Sequence, residues 1–395
     1  MEFIDGKDVS GKTILMRVDY NVPLKGGRVQ DETRIREGLP TLRNALEQNA
    51  KVVLCSHLGK PKGEFKPEFS LAPVAERLSS ILEQEVRMAP DCIGEEALDM
   101  VRELEPGGVL MLENLRFYPG EENNDPEFSR ELAKMGEVYV NDAFGVCHRA
   151  HASVVGVSRE MSQCMGGLLL KKEWEYLCKV TNPERPFVLI AGGAKVSSKI
   201  GVLENLLDKV DVILIGGAMA NTFRRAEGYS VGTSLVEEDR LDQAREIMAK
   251  AREKGVQFYL PVDFILGEGP YAKAGSGVFP FQAIPEDLMA LDIGPATCTL
   301  YAEVLRSART VVWNGPMGAF EHRPFSQGSR NISEIVAGLE AVTIVGGGDT
   351  DALIYDLALE EKFDFISTGG GAFLEALEGK LLPGFKALRE CSGSH

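Results

Sequence analysis

Short runs of β-branched and aliphatic residues alternate with stretches of helical periodicity along nearly the whole chain. In the first half the strand-like runs are Thr13–Asp19, Lys51–Ser56, Val109–Leu112 and Val138–Asp142. Between the first two, Ile35, Leu39, Leu42 and Leu46 recur at the spacing of one helix face. Ser70–Leu82 and Pro126–Met135 read as further helices. The second half repeats the scheme with Phe187–Ala191, Val212–Ile215, Gln257–Leu260, Val311–Trp313, Val342–Val345 and Asp364–Ser367, and with helical stretches such as Ile332, Ile335, Val336 and Leu339. Alternation of this kind predicts an α/β protein whose parallel sheets carry helices on both faces. A chain of 395 residues is too long for one ordinary core, which points to about two to three domains. No sequence-level repeat links the two halves.

Between the halves, Gly166-Gly167 precedes Leu168–Thr181, where Leu170, Trp174 and Leu177 stand at helical spacing. The run Asn182-Pro183-Glu184-Arg185-Pro186 stops that pattern. It reads as a helix joining two lobes, with hinge candidates at its ends, or as one more sheet-covering helix; periodicity does not separate the two.

A net charge of −16 argues against general nucleic-acid or anionic-membrane binding, which need extended basic surface. An anionic small ligand remains compatible, provided that basic residues gather locally. The seven cysteines are odd in number, irregularly spaced and without a CxxC pair, so neither a zinc site nor a disulfide framework is expected. They read as thiols in a reducing compartment. No apolar run approaches the roughly 18 residues of a membrane span, and Met1–Val9 has no signal-peptide pattern. The expectation is a cytoplasmic protein.

Gly6-Lys7-Asp8-Val9-Ser10-Gly11-Lys12-Thr13 matches the P-loop pattern, but its context is inverted. The mechanism needs a strand before the loop and a helix after it, whereas here the β-like run Ile14–Val18 follows. A stronger signal is cumulative. Strand-like runs of the second half end in AGGAK at 191–195, IGGAMAN at 215–221, WNGP at 313–316, VGGGDT at 345–350 and STGGGA at 367–372. Singly each is a tight turn. Together, at the carboxyl ends of parallel strands, they point to a nucleotide or phosphate site, where glycine lets backbone amides approach phosphate. None has the G-x-G-x-x-G spacing of a dinucleotide fold, which disfavours a dehydrogenase. Lys195 and Lys199, four residues apart, would share one face of a helix starting there. Asp349 would hold Mg²⁺, cap the following helix, or do both.

Basic residues of the first half also stand beside predicted strand ends. Asp19-Tyr20-Asn21 closes the first strand, Arg34 opens the next helix, and Ser56-His57-Leu58-Gly59-Lys60 closes the second strand. Glu113-Asn114-Leu115-Arg116 closes the third, and Asp142–Gly145 leads to His148-Arg149-Ala150-His151. In an acidic chain this gathering suits a phosphorylated, carboxylated small molecule.

At these residues the chain resembles a known family. MRVDYNVP, TRI, SHLGKP, ENLRF, YVNDAFG with HRAH, GGAKVSSKI, IGGAMANTF, WNGPMGAFE, GGGDT and STGGGA occur in the order found in phosphoglycerate kinases and span essentially the whole chain. The resemblance implies two Rossmann-like lobes with parallel sheets flanked by helices, joined by a helix and facing across a cleft. It implies a phosphoglycerate-binding lobe over 1–166, an interdomain helix over 167–183, a nucleotide-binding lobe over 184–378, and a tail over 379–395 that returns to the first lobe. Around the glycerate substrate it places Asp19, Tyr20, Asn21, Arg34, His57, Leu58, Gly59, Lys60, Arg116 and Arg149. Around ATP or ADP it places Gly193, Lys195, Lys199, Gly217, Asn314, Pro316, Gly318, Glu321 and the run Gly346, Gly347, Gly348, Asp349 and Thr350, with Asp349 positioning Mg²⁺. Arg34, Lys195, Gly348 and Gly371 would act on the transferred group, Gly369–Gly371 through their amides.

The implied activity is reversible phosphoryl transfer from 1,3-bisphosphoglycerate to MgADP, a glycolytic step performed by a monomer without nucleic-acid or membrane partners. Arg34 and Lys195 would converge on the phosphoryl group only when the lobes close and exclude water. The acceptor carboxylate is already ionised at neutral pH, so no general base, and no Asp–His pair, is expected. Three positions depart from the family: Lys60 stands where arginine is usual, Ala218 where glycine is common, and Ala319 where valine is frequent. None removes a catalytic group, although Lys60 leaves open a catalytically weakened paralogue acting as a ligand-binding protein.

Overall fold

The structure, a computed structural model, describes residues 1–392. It divides into two compact units, one of residues 1–175 together with the chain from Leu381 onward, the other of Tyr176–Lys380. The helix Leu168–Thr181 carries the chain from one to the other.

The first unit is built on a parallel six-stranded sheet. Its strands are β1 (Thr13–Arg17), β2 (Lys51–Cys55), β3 (Val86–Met88), β4 (Val109–Met111), β5 (Val138–Asn141) and β6 (Cys164–Gly166), in the order β3-β4-β2-β1-β5-β6. Helix α1 (Thr33–Glu47) starts where Asp31 accepts hydrogen bonds from the Thr33 amide and hydroxyl, at 2.9 and 2.7 Å. Its Ile35, Leu39 and Leu42 bury against Ile14, Met16, Val52, Leu54, Val138 and Val140 of the sheet. Each such side chain is worth about 1.5–3 kcal/mol when fully buried, so this face, rather than helix propensity, holds α1 in place despite Pro40 within it. The strands β3 and β6 escape sequence reading because VRM and CMG carry no run of β-branched residues.

The second unit has its own parallel sheet, of β7 (Phe187–Ala191), β8 (Val212–Ile215), β9 (Gln257–Tyr259), β13 (Thr310–Asn314), β14 (Val342–Gly346) and β15 (Phe365–Ser367), ordered β9-β8-β7-β13-β14-β15. Between β9 and β13 a separate antiparallel sheet forms from β10 (Asp263–Gly267), β11 (Gly277–Pro280) and β12 (Met289–Ile293). This sheet departs from the purely parallel expectation. Its strands lie among glycines and prolines that interrupt any hydrophobic period.

Later helices are α2 (Leu168–Thr181), α3 (Ile200–Leu206), α4 (Met219–Ala226), α5 (Gly348–Asp356), α6 (Gly371–Leu377) and α7 (Pro383–Ser392). Two sequence expectations are corrected here. Cys164 and Cys391 are joined by a disulfide across 227 residues of sequence, a pairing that spacing alone does not reveal. Lys195 and Lys199 do not share a helix face: a 3-10 turn, Val196–Ser198, lies between them, leaving Lys195 exposed and Lys199 buried.

Candidate functional site

In the first unit the candidate residues collect at the carboxyl ends of β1, β2 and β4. Arg17 is the last residue of the central strand β1, paired in register with Cys55 and Asn141, and its side chain is 0% exposed. A buried guanidinium needs partners. Arg17 Nε donates to Ser153 Oγ at 2.8 Å, one terminal nitrogen donates to the Val18 carbonyl, and the other reaches His57 Nδ1 at 3.1 Å. Ser153 passes the charge on: its hydroxyl and amide donate to buried Glu121 at 2.6 and 2.9 Å. Because arginine has only donors, His57 Nδ1 must accept, which leaves the ring proton on Nε2.

Arg34 NH1 donates to Asp19 Oδ2 at 3.0 Å, and Asn21 Oδ1 accepts from the Gly59 amide at 2.9 Å. Arg116 NH1 donates to the Gly59 carbonyl at 2.8 Å, and its Nε lies 3.2 Å from Glu122. Gly59 thus ties two candidate side chains together. Its φ of +60°, and a Cβ position 2.3 Å from the Phe69 ring, leave glycine as the residue that fits. Lys60 and Arg149 are exposed.

The electrostatics of this patch are cationic. Burial, then the charges of Arg17, Arg116 and Arg34, hold His57 neutral, well below its ordinary range. Burial, then Arg116, Arg17 and Arg149, lowers His151 to about 4. Beyond burial, Arg17 and Arg116 act on both histidines in the same direction, a local concentration of positive charge suited to an anion. Asp19 lies 3.9 Å from His57 Nδ1, beyond hydrogen-bond reach, so the two do not form an acid–base dyad.

In the second unit the five glycine turns all follow carboxyl ends of sheet strands, and the first four are knitted to one another. The Gly192 amide donates to the Asn314 carbonyl, Gly193 to Pro316, and Gly217 to Met317, at 2.9, 2.9 and 2.8 Å. Gly315, at φ +95°, approaches Gly192 so closely that a Cβ would stand 2.3 Å from its carbonyl oxygen. Asn314 accepts from Lys199 Nζ and donates to the Gly346 carbonyl, while Thr350 Oγ1 accepts from the Gly315 amide at 2.8 Å. Burial pushes the Lys199 amine down to about 8, against the pull of Asp349 and Glu378. Beside these turns lies a cavity of about 220 Å³ lined by Gly193, Gly217, Leu235, Met289, Leu291, Pro316, Gly318, Ala319, Glu321 and Asp349. Its walls are largely apolar, with carboxylates among the lining residues. Ala218 also borders it.

A larger open groove, of about 810 Å³, lies at the opposite, amino ends of β7, β8 and β9. Its charged side chains pair with each other, Arg185 with Asp211 and Lys254 with Asp208. It offers no comparable set of phosphate-binding groups.

Asp349 stands in the first turn of α5, whose N-cap is Gly347. It therefore does not cap the helix. Burial, then the charge of Asp349, raises the neighbouring Asp351 to about 8. Among the described residues no group of three or more metal-ligating side chains exists; Asp349 and Asp351 offer the one or two carboxylates that magnesium takes beside phosphates and water. Gly348 and Gly371 open α5 and α6, where helix N-termini favour anions.

Two of the named residues are scaffold by geometry. Tyr20 is 0% exposed, its amide donates to Ser56 Oγ at 2.9 Å, and its carbonyl accepts from Val22. Leu58 is 2% exposed, and both its backbone groups bond to the Asn114 side chain. Sequence reading missed Arg17, Ser153 and Glu121. Arg17 did carry a signal, as a lone charge ending an otherwise apolar run, TILMR. Leu235 and Met289 carried none, since apolar residues in loops and edge strands are common.

The phosphoglycerate kinase family profile matches residues 4–380. A phosphoglycerate kinase of Maridesulfovibrio salexigens is 54% identical, over 99% of this chain and 100% of its own length. One of a Geobacter species is 53% identical, over 97% of each chain. Among solved structures, the phosphoglycerate kinase of Coxiella burnetii superimposes with a TM-score of 0.91 at 42% identity, covering 98% of both chains. That of Pyrococcus horikoshii gives 0.86 at 32%, covering both completely. On this evidence the chain belongs to the phosphoglycerate kinase family.

Proposed function

We propose that the chain is a phosphotransferase that moves a phosphoryl group reversibly between 1,3-bisphosphoglycerate and MgADP, giving 3-phosphoglycerate and MgATP. The observation that carries this reading is the division of labour between the units. One presents an arginine-rich patch that keeps its histidines neutral. The other presents glycine turns beside Lys195, Lys199 and Asp349.

In this reading the first unit binds the glycerate. His57 offers Nε2–H to a carboxylate or phosphate oxygen, with Asn21 and Arg116 set by Gly59. Arg34, held by Asp19 until substrate arrives, then turns its charge to the reacting end. Lys60 supplies a point charge where a guanidinium would bind two oxygens. In the second unit the apolar lining around Leu235, Met289 and Leu291 takes the nucleoside, Glu321 the ribose, and the turns at Gly193, Gly217, Gly318 and Gly346–Thr350 the phosphates. Asn314, Pro316 and Thr350 act by fixing those turns. Mg²⁺ held at Asp349 would neutralise charge on the phosphates. Lys195 stabilises charge on the group in transit, with Gly348 and Gly371 donating amides.

A carboxylate acceptor is a nucleophile without help, so positioning and electrostatic stabilisation account for catalysis. The weakened-paralogue alternative rests on Lys60 alone, and full-length relatives named for the kinase give it no support. Among the described residues no helix is long and apolar enough to cross a membrane; the working assignment is a cytoplasmic monomer. A coupled assay with 3-phosphoglycerate, ATP and Mg²⁺, following the acyl phosphate through NADH-dependent reduction, tests the proposal. Robust Mg²⁺-dependent turnover is expected. Turnover absent while both ligands bind would overturn it.

A further inference from the structure

Helix α7 is fastened to the first unit near both ends, and between them Phe385 packs on Phe144 and Trp174, with ring centroids 5.9 and 5.1 Å apart. Near its start, the Gly384 amide donates to the Cys147 carbonyl at 2.9 Å, and there is no room for a side chain at 384, where a Cβ would lie 2.8 Å from Cys147 Sγ. Near its end, Cys391 is bonded to Cys164 of β6, with Cα atoms 5.9 Å apart. Between them Ala387 closes an apolar cluster with Ala143, Val146, Val154 and Val155. The covered segment, 143–155, is the one that carries Arg149, His151 and Ser153. Helix α7 therefore braces the backbone behind the cationic patch, and its second fastening lies almost at the end of the chain.

We propose that Cys164 and Cys391 are a reversible thiol–disulfide clasp that governs how firmly α7 holds the 143–155 segment. With the thiols reduced, the covalent tie is gone and this turn is held by packing and non-covalent contacts, among them that from Cys391 Sγ to the Met161 carbonyl, at 3.5 Å. Of the pair, Cys391, at 8% exposure and on the last described turn, is the sulfur an external reagent reaches first; Cys164 is 2% exposed. The oxidant is a small-molecule disulfide of the glutathione type. The Cys391 thiolate attacks it, releasing one thiol and forming a mixed disulfide. The Cys164 thiolate then displaces the second thiol, so two protons and two electrons leave the protein and one external disulfide becomes two thiols. Burial raises the Cys55 and Cys298 thiols to about 12 and 11 and that of Cys147 well above its ordinary range, which keeps them out of the exchange.

Full-length protein equilibrated with glutathione disulfide, then denatured and labelled with a maleimide-polyethylene glycol, tests this. The chain has seven cysteines, of which five are outside the disulfide, and one of these, Cys178, is exposed and open to glutathione itself, so the labelling uses the Cys178→Ser variant. Four labels are expected after oxidation and six after dithiothreitol. The oxidised form should melt about 5–10 °C higher, and amide exchange across 143–155 should quicken on reduction. Cys391→Ser should show reduced-like melting and exchange whatever the redox state. An effect on the Michaelis constant for 3-phosphoglycerate, raised about two-fold or more on reduction, rests in addition on the proposed function; labelling and exchange do not. Six labels after oxidation, or melting and exchange indifferent to dithiothreitol, would overturn the proposal.

Discussion

Replacing Arg17 with leucine should cost the first unit much of its stability and should weaken phosphoglycerate binding without touching the nucleotide. The guanidinium is fully buried and makes three hydrogen bonds, to Ser153, the Val18 carbonyl and His57. Hydrogen bonds to a charged group contribute about 1.5–3 kcal/mol each, so their sum is an upper bound. Breaking one side of a buried charge network, here leaving Glu121 and Ser153 without their cation, costs about 3–5 kcal/mol. That lower figure is the better one, because leucine regains some apolar packing. In a domain of this size it corresponds to a melting temperature lower by about 6–20 °C. Lysine at 17 keeps the charge but not the fork, and should fall between.

Thermal melts of wild type, Arg17→Leu, Ser153→Ala and the double variant form a cycle with a coupling of about 1–3 kcal/mol. The Michaelis constant for 3-phosphoglycerate, measured below the melting range, should rise, because His57 loses the donor that fixes its tautomer. A melting temperature unchanged within about 2 °C, or strictly additive variants, would refute the network.

Three further outcomes are expected. Lys195→Ala should lower kcat by about 10²–10³ while changing the Michaelis constant for MgATP little; near-wild-type turnover removes Lys195 from the reaction. Lys199 titrates near 8 in the folded protein, and a bound polyphosphate favours its charged form. MgADP binding near pH 8.5 should therefore take up protons, seen as a binding enthalpy that varies with buffer ionisation enthalpy; no variation sinks the assignment. His151 titrates at about 4 when folded and about 6.5 when unfolded. The unfolded chain thus binds the extra proton first, and stability falls as pH drops from about 6.5 toward 4, by about 3 kcal/mol in total from this group. Denaturant titrations of His151→Gln across that range should show a shallower loss; an identical slope contradicts the shift.

Much of this protein was legible in its residues because parallel sheets write themselves plainly. Strands covered on both faces become unbroken aliphatic runs, as at Phe187–Ala191 and Val212–Ile215, and their ends fall within a residue or two of the reading. The glycine turns were legible for a related reason, since backbones that approach as closely as Gly192 and Gly315 admit no other residue. What escaped depends on distance in sequence. The Arg17–Ser153–Glu121 relay joins residues from three remote segments. The Cys164–Cys391 bond spans almost the whole chain beyond β6. Lys195 and Lys199 were misread because four-residue spacing was taken for an α-helix, where a tighter 3-10 turn buries one amine and exposes the other.

In the proposed function, glycerate and nucleotide are bound by different units through the named residues. Amide chemical-shift mapping of the full chain, titrated with 3-phosphoglycerate alone and MgADP alone, tests it most directly. 3-Phosphoglycerate should move the amides of Asn21, Gly59, Lys60, Arg116 and Arg149. MgADP should move those of Gly193, Gly217, Gly318 and Gly346–Thr350. The same amides responding to both ligands, or 3-phosphoglycerate moving only the glycine turns, would contradict it.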